Sequence, residues 1–143
     1  MATNTEVKKR LTTQVRDVKA KYPEAHTTWG RGLLVWTGPL QPTPISEIYT
    51  VTISWDGRKA RPVVHGFSPK LENRPGELIP HAFRNGALCL HYRWEWKTRM
   101  DIGDTIIPWT SEWLYHYEMW HVTGEWLGGG HVATAKPNES QAA

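Results

Sequence analysis

Apolar residues at Val7, Leu11, Val15, Val18 and Tyr22 are separated by four, four, three and four positions, with charged and polar residues between them. That spacing sets one apolar stripe on a 3.6-residue period and predicts an amphipathic helix over 5–22, ended by Pro23. A turn-rich passage follows. Residues 32–36 form a short apolar run that reads as a strand, closed by Thr37, Gly38 and Pro39, and the QPTPIS segment reads as a loop. Over 47–55 the pattern changes to strict alternation. Tyr49, Val51, Ile53 and Trp55 share one face, while Ile48, Thr50, Thr52 and Ser54 share the other, which predicts a strand with one face in a core. Asp56-Gly57 is a turn signal, and 60–65 reads as a further strand whose Pro62 marks an edge or a start.

From 66 to 89 there is little periodicity and there are three prolines, Pro69, Pro75 and Pro80. An irregular run of this length inside one domain points to a functional loop. Ile106, Trp109, Trp113, Leu114, Tyr117 and Trp120 then mark one face of a second helix. Asp104 or Thr105 can cap it, Pro108 is tolerated in its first turn, and Gly124 ends it. Helix, antiparallel strands, irregular segment and second helix together predict the α+β class, with helices packed on a small meander. The expected organisation is a single domain over 1–132 and a disordered polar tail over 133–143.

Composition adds a few constraints. No stretch approaches the ~20 apolar residues of a membrane helix, and the first residues lack the apolar core of a secretory signal, so a soluble, cytoplasmic protein without a membrane partner is expected. The formal net charge is +3, with Lys8, Lys9, Arg10, Arg16, Lys19 and Lys21 concentrated in the first helix. This is either a solvated face or a basic docking face. A nucleic-acid-binding module would use such residues with stacking aromatics, but the modest net charge weighs against it. Nine tryptophans are present, six of them between Trp94 and Trp126; they fill a small core or line an interface. His116, His121 and His131 do not form a recognised metal motif, and no metal or other cofactor is expected.

The single cysteine, Cys89, is either a small buried hydrophobe or a reactive thiol. Its surroundings read Ile79-Pro80-His81-Ala82-Phe83-Arg84-Asn85-Gly86-Ala87-Leu88-Cys89-Leu90. This resembles the active-site signature of ubiquitin-conjugating (E2) enzymes, in which a His-Pro-Asn tripeptide precedes an Asn-Gly turn and an apolar-Cys-Leu triplet. Pro80, Asn85, Gly86, Leu88, Cys89 and Leu90 fall on matching positions without a gap. Ile79 stands where the family has His, His81 where it has Asn, and His91 where it has Asp, and the family's C-terminal helices are reduced.

The resemblance implies an E2-like fold and a cysteine that carries an acyl group as a thioester. A thiolate is both a strong nucleophile and a good leaving group, and a thiol that ordinarily titrates near ~8.5 needs little activation against an acyl donor that is itself a thioester. His81 would supply an N–H to the acyl oxygen where the family uses an amide; as a residue by itself it reads equally as a turn histidine. Asn85-Gly86 shapes the loop, and His91 is a candidate to receive the amine's proton. The segment from Thr105 onward is similar to the short E2-like proteins of bacterial antiphage CBASS operons that lack an E1 partner. That similarity implies a partner: the C-terminal glycine of a cGAS-like nucleotidyltransferase, or another ubiquitin-like protein. The incoming tail is expected to lie along the long loop and the second helix, walled by Trp94, Trp96 and Trp109. A noncatalytic E2-variant scaffold that only binds such a partner is the competing reading.

Overall fold

The computed structural model describes residues 2–58, 60–83, 85–90 and 96–127. Its elements are α1 (Asn4–Lys21), β1 (His26–Gly30), β2 (Leu33–Leu40), β3 (Tyr49–Trp55), β4 (Val63–Ser68) and α2 (Ile106–Thr123). The strands form one antiparallel meander in the order β1-β2-β3-β4, and the helices complete the expected α+β arrangement.

Helix α1 begins with a capping box. The Thr3 side chain accepts from the Glu6 N–H, and the Glu6 carboxylate accepts from the Thr3 N–H, both at 3.1 Å, an arrangement worth about 1 kcal/mol. Val7, Leu11, Val15 and Val18 are buried, as the periodicity requires. The alternation in β3 is equally faithful: Tyr49, Val51, Ile53 and Trp55 are all buried. Together with Leu34, Trp36 and Leu40 of β2 and Val64 of β4 they make an inner face. That face, α1, and Ile106, Ile107, Trp113, Leu114, Tyr117 and Trp120 of α2 share one hydrophobic cluster.

The strand boundaries differ from the sequence expectation, β3 only by starting at Tyr49 and not at residue 47. β1 falls in the passage read as turns. It is a five-residue edge strand with no buried residue, so it has no alternation to detect, and it exists through its ladder with β2. The hairpin joining them turns at Arg31 and Gly32, both with positive φ (53° and 75°), the backbone that matches the twist of a two-residue hairpin. β2 continues through Gly38 and Pro39 to Leu40 because β3 pairs with it from Leu34 to Leu40, whereas β1 pairs no further than Thr37. Beyond Thr37 that side of β2 has no partner strand, the setting in which a residue without an N–H is accommodated. β4 starts after Pro62 and runs to Ser68, passing a register shift at Val51/Thr52 where Gly66 takes φ 74°, a bulge that glycine permits.

Side chains also tie the segment before α2 to α1. Gln14 is only 4% exposed; its amide donates to the Met100 carbonyl at 2.8 Å and accepts from the Ile102 N–H at 3.0 Å. Tyr22 donates to the Gly103 carbonyl at 2.9 Å, and Lys21 pairs with Asp17 and Asp104 at 2.8 and 2.7 Å. The expected cap of α2 takes another form. Thr105 occupies the cap position without a side-chain cap bond; its hydroxyl instead donates to the Asp101 carbonyl at 2.8 Å and accepts from the Trp96 indole N–H at 3.2 Å. Gly124, in the left-handed conformation, closes the helix with its N–H on the Trp120 carbonyl. No helix among the described residues is long and apolar enough to cross a membrane. The segment 133–143 lies outside the described residues.

Candidate active site

The long segment after β4 ends in a small hairpin that carries the cysteine. Asn85 and Gly86 form its tip: the Asn85 side chain accepts from the Ala87 N–H at 3.0 Å, Gly86 has φ 88°, and the Gly86 N–H donates to the Phe83 carbonyl at 2.9 Å. Ala82 and Leu88 pair as an antiparallel bridge, and the Phe83 N–H reaches the Ala87 carbonyl at 2.7 Å. The hairpin attaches to the sheet at the edge β4 leaves open, through the Leu88 N–H and the Val64 carbonyl at 3.1 Å. Leu88 and Leu90 are buried in the core while Cys89 between them is half-buried, since successive residues of an extended segment face opposite ways.

Cys89 and His81 meet at the base of the hairpin. The Cys89 N–H donates to the His81 carbonyl at 2.8 Å, and the same oxygen accepts from the Trp113 indole N–H at 3.3 Å. His81 has φ 55°, a left-handed conformation in which His and Asn are among the few residues enriched. The two donors on its carbonyl hold it there. Its imidazole is 7% exposed and lies 5.6 Å from the ring of Trp126, which in turn packs on Trp113 at 5.1 Å and stands 6.1 Å from His116. The Trp126 indole N–H is buried and has no hydrogen-bond partner among the described residues. A donor left unmade in this way costs about 1–3 kcal/mol.

Helix α2 grips the other end of the long loop as well. Tyr117, stacked on Trp113 at 5.7 Å with an interplanar angle of 11°, accepts from the Glu72 N–H at 2.8 Å, and His121 donates to the Glu72 carbonyl at 2.9 Å. Burial holds the Tyr117 hydroxyl above the ordinary tyrosine value. On the same helix Glu118 accepts from Ser46 at 2.7 Å and Tyr49 at 2.9 Å. Burial first, and then this bond, push Tyr49 well above that value.

The residues expected from sequence therefore divide. Cys89, His81, Asn85 and Gly86 come together in one hairpin, and Pro80, half-buried, precedes it. Trp96 does not form an open wall: it is 3% exposed, packed edge-on to Trp55 at 5.1 Å, with its N–H donating to Thr105 at 3.2 Å. Large apolar area and a satisfied indole make it a core residue. Trp109 is half-buried and packs against the core cluster. His91 and Trp94 lie outside the described residues, as does His131. Among the described residues no group of three or more His, Cys, Asp or Glu side chains is placed to hold a metal ion. Trp113, Trp126 and His116 were not foreseen as site residues. Trp113 carried a signal, its place on the apolar stripe of α2, but periodicity says only that a side chain is buried, not what it touches.

The model of the family described as Type II CBASS E2 protein matches residues 14–134, which includes α1 from Gln14 onward, the whole sheet, the Cys89 hairpin and α2. No curated protein matches the chain.

Proposed function

The chain belongs to the Type II CBASS E2 protein family, an antiphage family with an E2-like role alongside other CBASS components, and from that premise we propose that Cys89 is the acyl carrier of this protein. The acyl group is the C-terminal glycine of a cGAS-like nucleotidyltransferase, presented as a thioester. The Cys89 thiolate attacks the carbonyl carbon, the new C–S bond forms as the donor C–S bond breaks, and the donor thiol leaves as a thiolate. An amine on the acceptor then attacks the Cys89 thioester. An amide forms, Cys89 departs as a thiolate, and the proton lost by the amine passes to His91 or to water.

The observation that carries this reading is the placement of Cys89: half-buried between two buried leucines, at the base of a hairpin whose partner strand begins with His81. The flanking leucines fix the backbone, so the nucleophile needs little reorganisation to meet its acyl donor. His81 has two parts in the proposal. Its carbonyl anchors the Cys89 amide, and its imidazole N–H donates to the acyl oxygen as negative charge develops there, a contribution of about 3 kcal/mol when a donor is preorganised.

Incubation with a glycine-ended peptide thioester, followed by intact mass under non-reducing conditions, tests the reading. The wild-type protein is expected to gain one thiol-labile acyl group, Cys89→Ser an oxyester that survives thiol, and Cys89→Ala nothing. His81→Asn, which keeps an N–H donor and a residue suited to the left-handed backbone, should retain acylation that His81→Ala loses by about 100-fold. An acyl adduct of the same yield on Cys89→Ala, which has no thiol left and must carry it on another group, or no thiol-labile adduct on the wild-type protein, would leave the family fold with a binding role only.

A further inference from the structure

The connection between β2 and β3 is an ordered loop. Leu40 pairs with Tyr49 where the two strands close. Within the turn the Ser46 N–H donates to the Thr43 carbonyl at 3.0 Å, the Thr43 N–H to the Ser46 hydroxyl at 3.1 Å, and the Gln41 amide to the Ser46 carbonyl at 2.8 Å. The Ser46 hydroxyl donates in turn to Glu118 at 2.7 Å, which pins the loop against α2. This scaffold lifts Ile45 into water: it is 96% exposed, and Ile48 is 57% exposed. An apolar side chain held out in this way adds nothing to the core, and because its backbone is fixed beforehand it loses little freedom when a partner covers it.

Beside the loop lies a hollow of about 600 Å³ between the ends of α1 and β2 and the first half of α2. Leu40 and Pro42 line it on the loop side and Ile107, Pro108 and Tyr115 on the helix side, with Tyr115 40% exposed. Among the described residues no lysine or arginine lines it, and its one carboxylate, Glu112, is exposed to water. Such walls suit an uncharged apolar group and disfavour an anion. Glu118, beside the loop, has its two oxygens taken by Ser46 and Tyr49, so covering this face leaves that carboxylate paired.

A projecting apolar residue and an apolar hollow thus stand side by side on one surface. We propose that this surface is an isologous contact between two copies of this chain, Ile45 of each entering the hollow of the other about a two-fold axis. Self-complementarity assigns the second copy as the occupant: a surface that carries both halves of a contact meets its match in itself after a two-fold rotation, and the two reciprocal insertions close the assembly at a dimer. The apolar area offered by Ile45, Ile48 and Tyr115 is small against the ~800 Å² per partner of a standard interface. The dimer is therefore a dissociating one, half formed at about 100 µM. The inference is independent of the chemistry assigned to Cys89.

Sedimentation equilibrium of the full chain, from about 10 to about 500 µM, tests the contact. Wild type should pass from monomer to dimer and no further. Ile45→Asp puts a carboxylate on the inserting residue and Tyr115→Lys an ammonium on the receiving wall; each should raise the dimer Kd about 10-fold or more. Both positions are exposed, so each variant should keep the wild-type Tm. An equimolar mixture of the two variants separates this geometry from general stickiness. In the mixed pair one native insertion remains, Ile45 of one copy in the unaltered hollow of the other, and the second places the new carboxylate beside the new ammonium. The mixture should dimerise with a Kd about 3-fold or more below that of either variant alone. A wild-type chain that stays monomeric throughout the range overturns the proposal and leaves this face to a different protein. A dimer whose Kd is unmoved by both substitutions overturns it, since another surface then makes the contact. Variants that both dissociate but gain nothing on mixing overturn the reciprocal insertion.

Discussion

Trp113 and Cys89 share one acceptor. The indole N–H of the first and the backbone N–H of the second both donate to the carbonyl oxygen of His81, at 3.3 and 2.8 Å. Helix α2 is thereby connected to the hairpin that presents the cysteine, and the left-handed His81 is held at the junction.

Removing one of these donors should loosen the junction without emptying the core. Trp113→Phe keeps a ring to stack on Tyr117 and loses the N–H, so the expected cost is about 1 kcal/mol. Because the lost bond acts on the hairpin, the Cys89 amide should exchange with deuterium about 5-fold faster than in wild type. An unchanged Cys89 exchange rate beside a lowered Tm would show that Trp113 supports the core and not the hairpin.

The hairpin tip should tolerate a methyl group sterically but not conformationally. A Cβ on Gly86 would meet no atom within 4 Å, yet φ is 88°. Gly86→Ala is therefore expected to lose about 1 kcal/mol through backbone strain, a fall in Tm of about 3 °C in thermal denaturation. A Tm equal to wild type would mean that the turn rearranges at no cost.

Gln14 is a more demanding position. Gln14→Ala strands the Met100 carbonyl and the Ile102 N–H, both of which it now satisfies, at a cost of about 2–4 kcal/mol in urea denaturation. A loss below about 0.5 kcal/mol, the range of ordinary surface changes, would indicate that water replaces both bonds.

Stability should decline on the alkaline side. Tyr49, Tyr117 and Tyr22 all hold their protons more tightly in the fold than an ordinary tyrosine, chiefly through burial. Above pH ~10 the unfolded chain releases tyrosine protons that the folded chain retains, so the unfolded state gains. The stability these groups contribute is complete below that pH and is lost as pH climbs toward the higher folded values. Tm measured from pH 8 to 12 should be flat at first and then fall, and Tyr49→Phe should make the fall shallower. A wild-type profile flat to pH 12 would contradict the assignment.

Local pattern was sufficient wherever one element's own residues decide its state. The spacing from Val7 to Val18, the alternation from Tyr49 to Trp55 and the stripe from Ile106 to Trp120 each specify a buried face within a single segment, and Asn85-Gly86 specifies a tight turn. All are readable because period and turn chemistry act over a few neighbouring residues. The tertiary structure decided what depends on distant partners. β1 has no buried face of its own and exists through β2, Pro39 is a strand residue because β3 alone flanks it, and Trp96 is in the core because Trp55 and Thr105 meet it there. Trp113 and Trp126 meet His81, and His116 meets Trp126, only once α2 packs across the long loop. A tryptophan in sequence announces that a large ring will be buried; which carbonyl its N–H reaches is settled by the packing of segments far apart in the chain, and no local period encodes that distance.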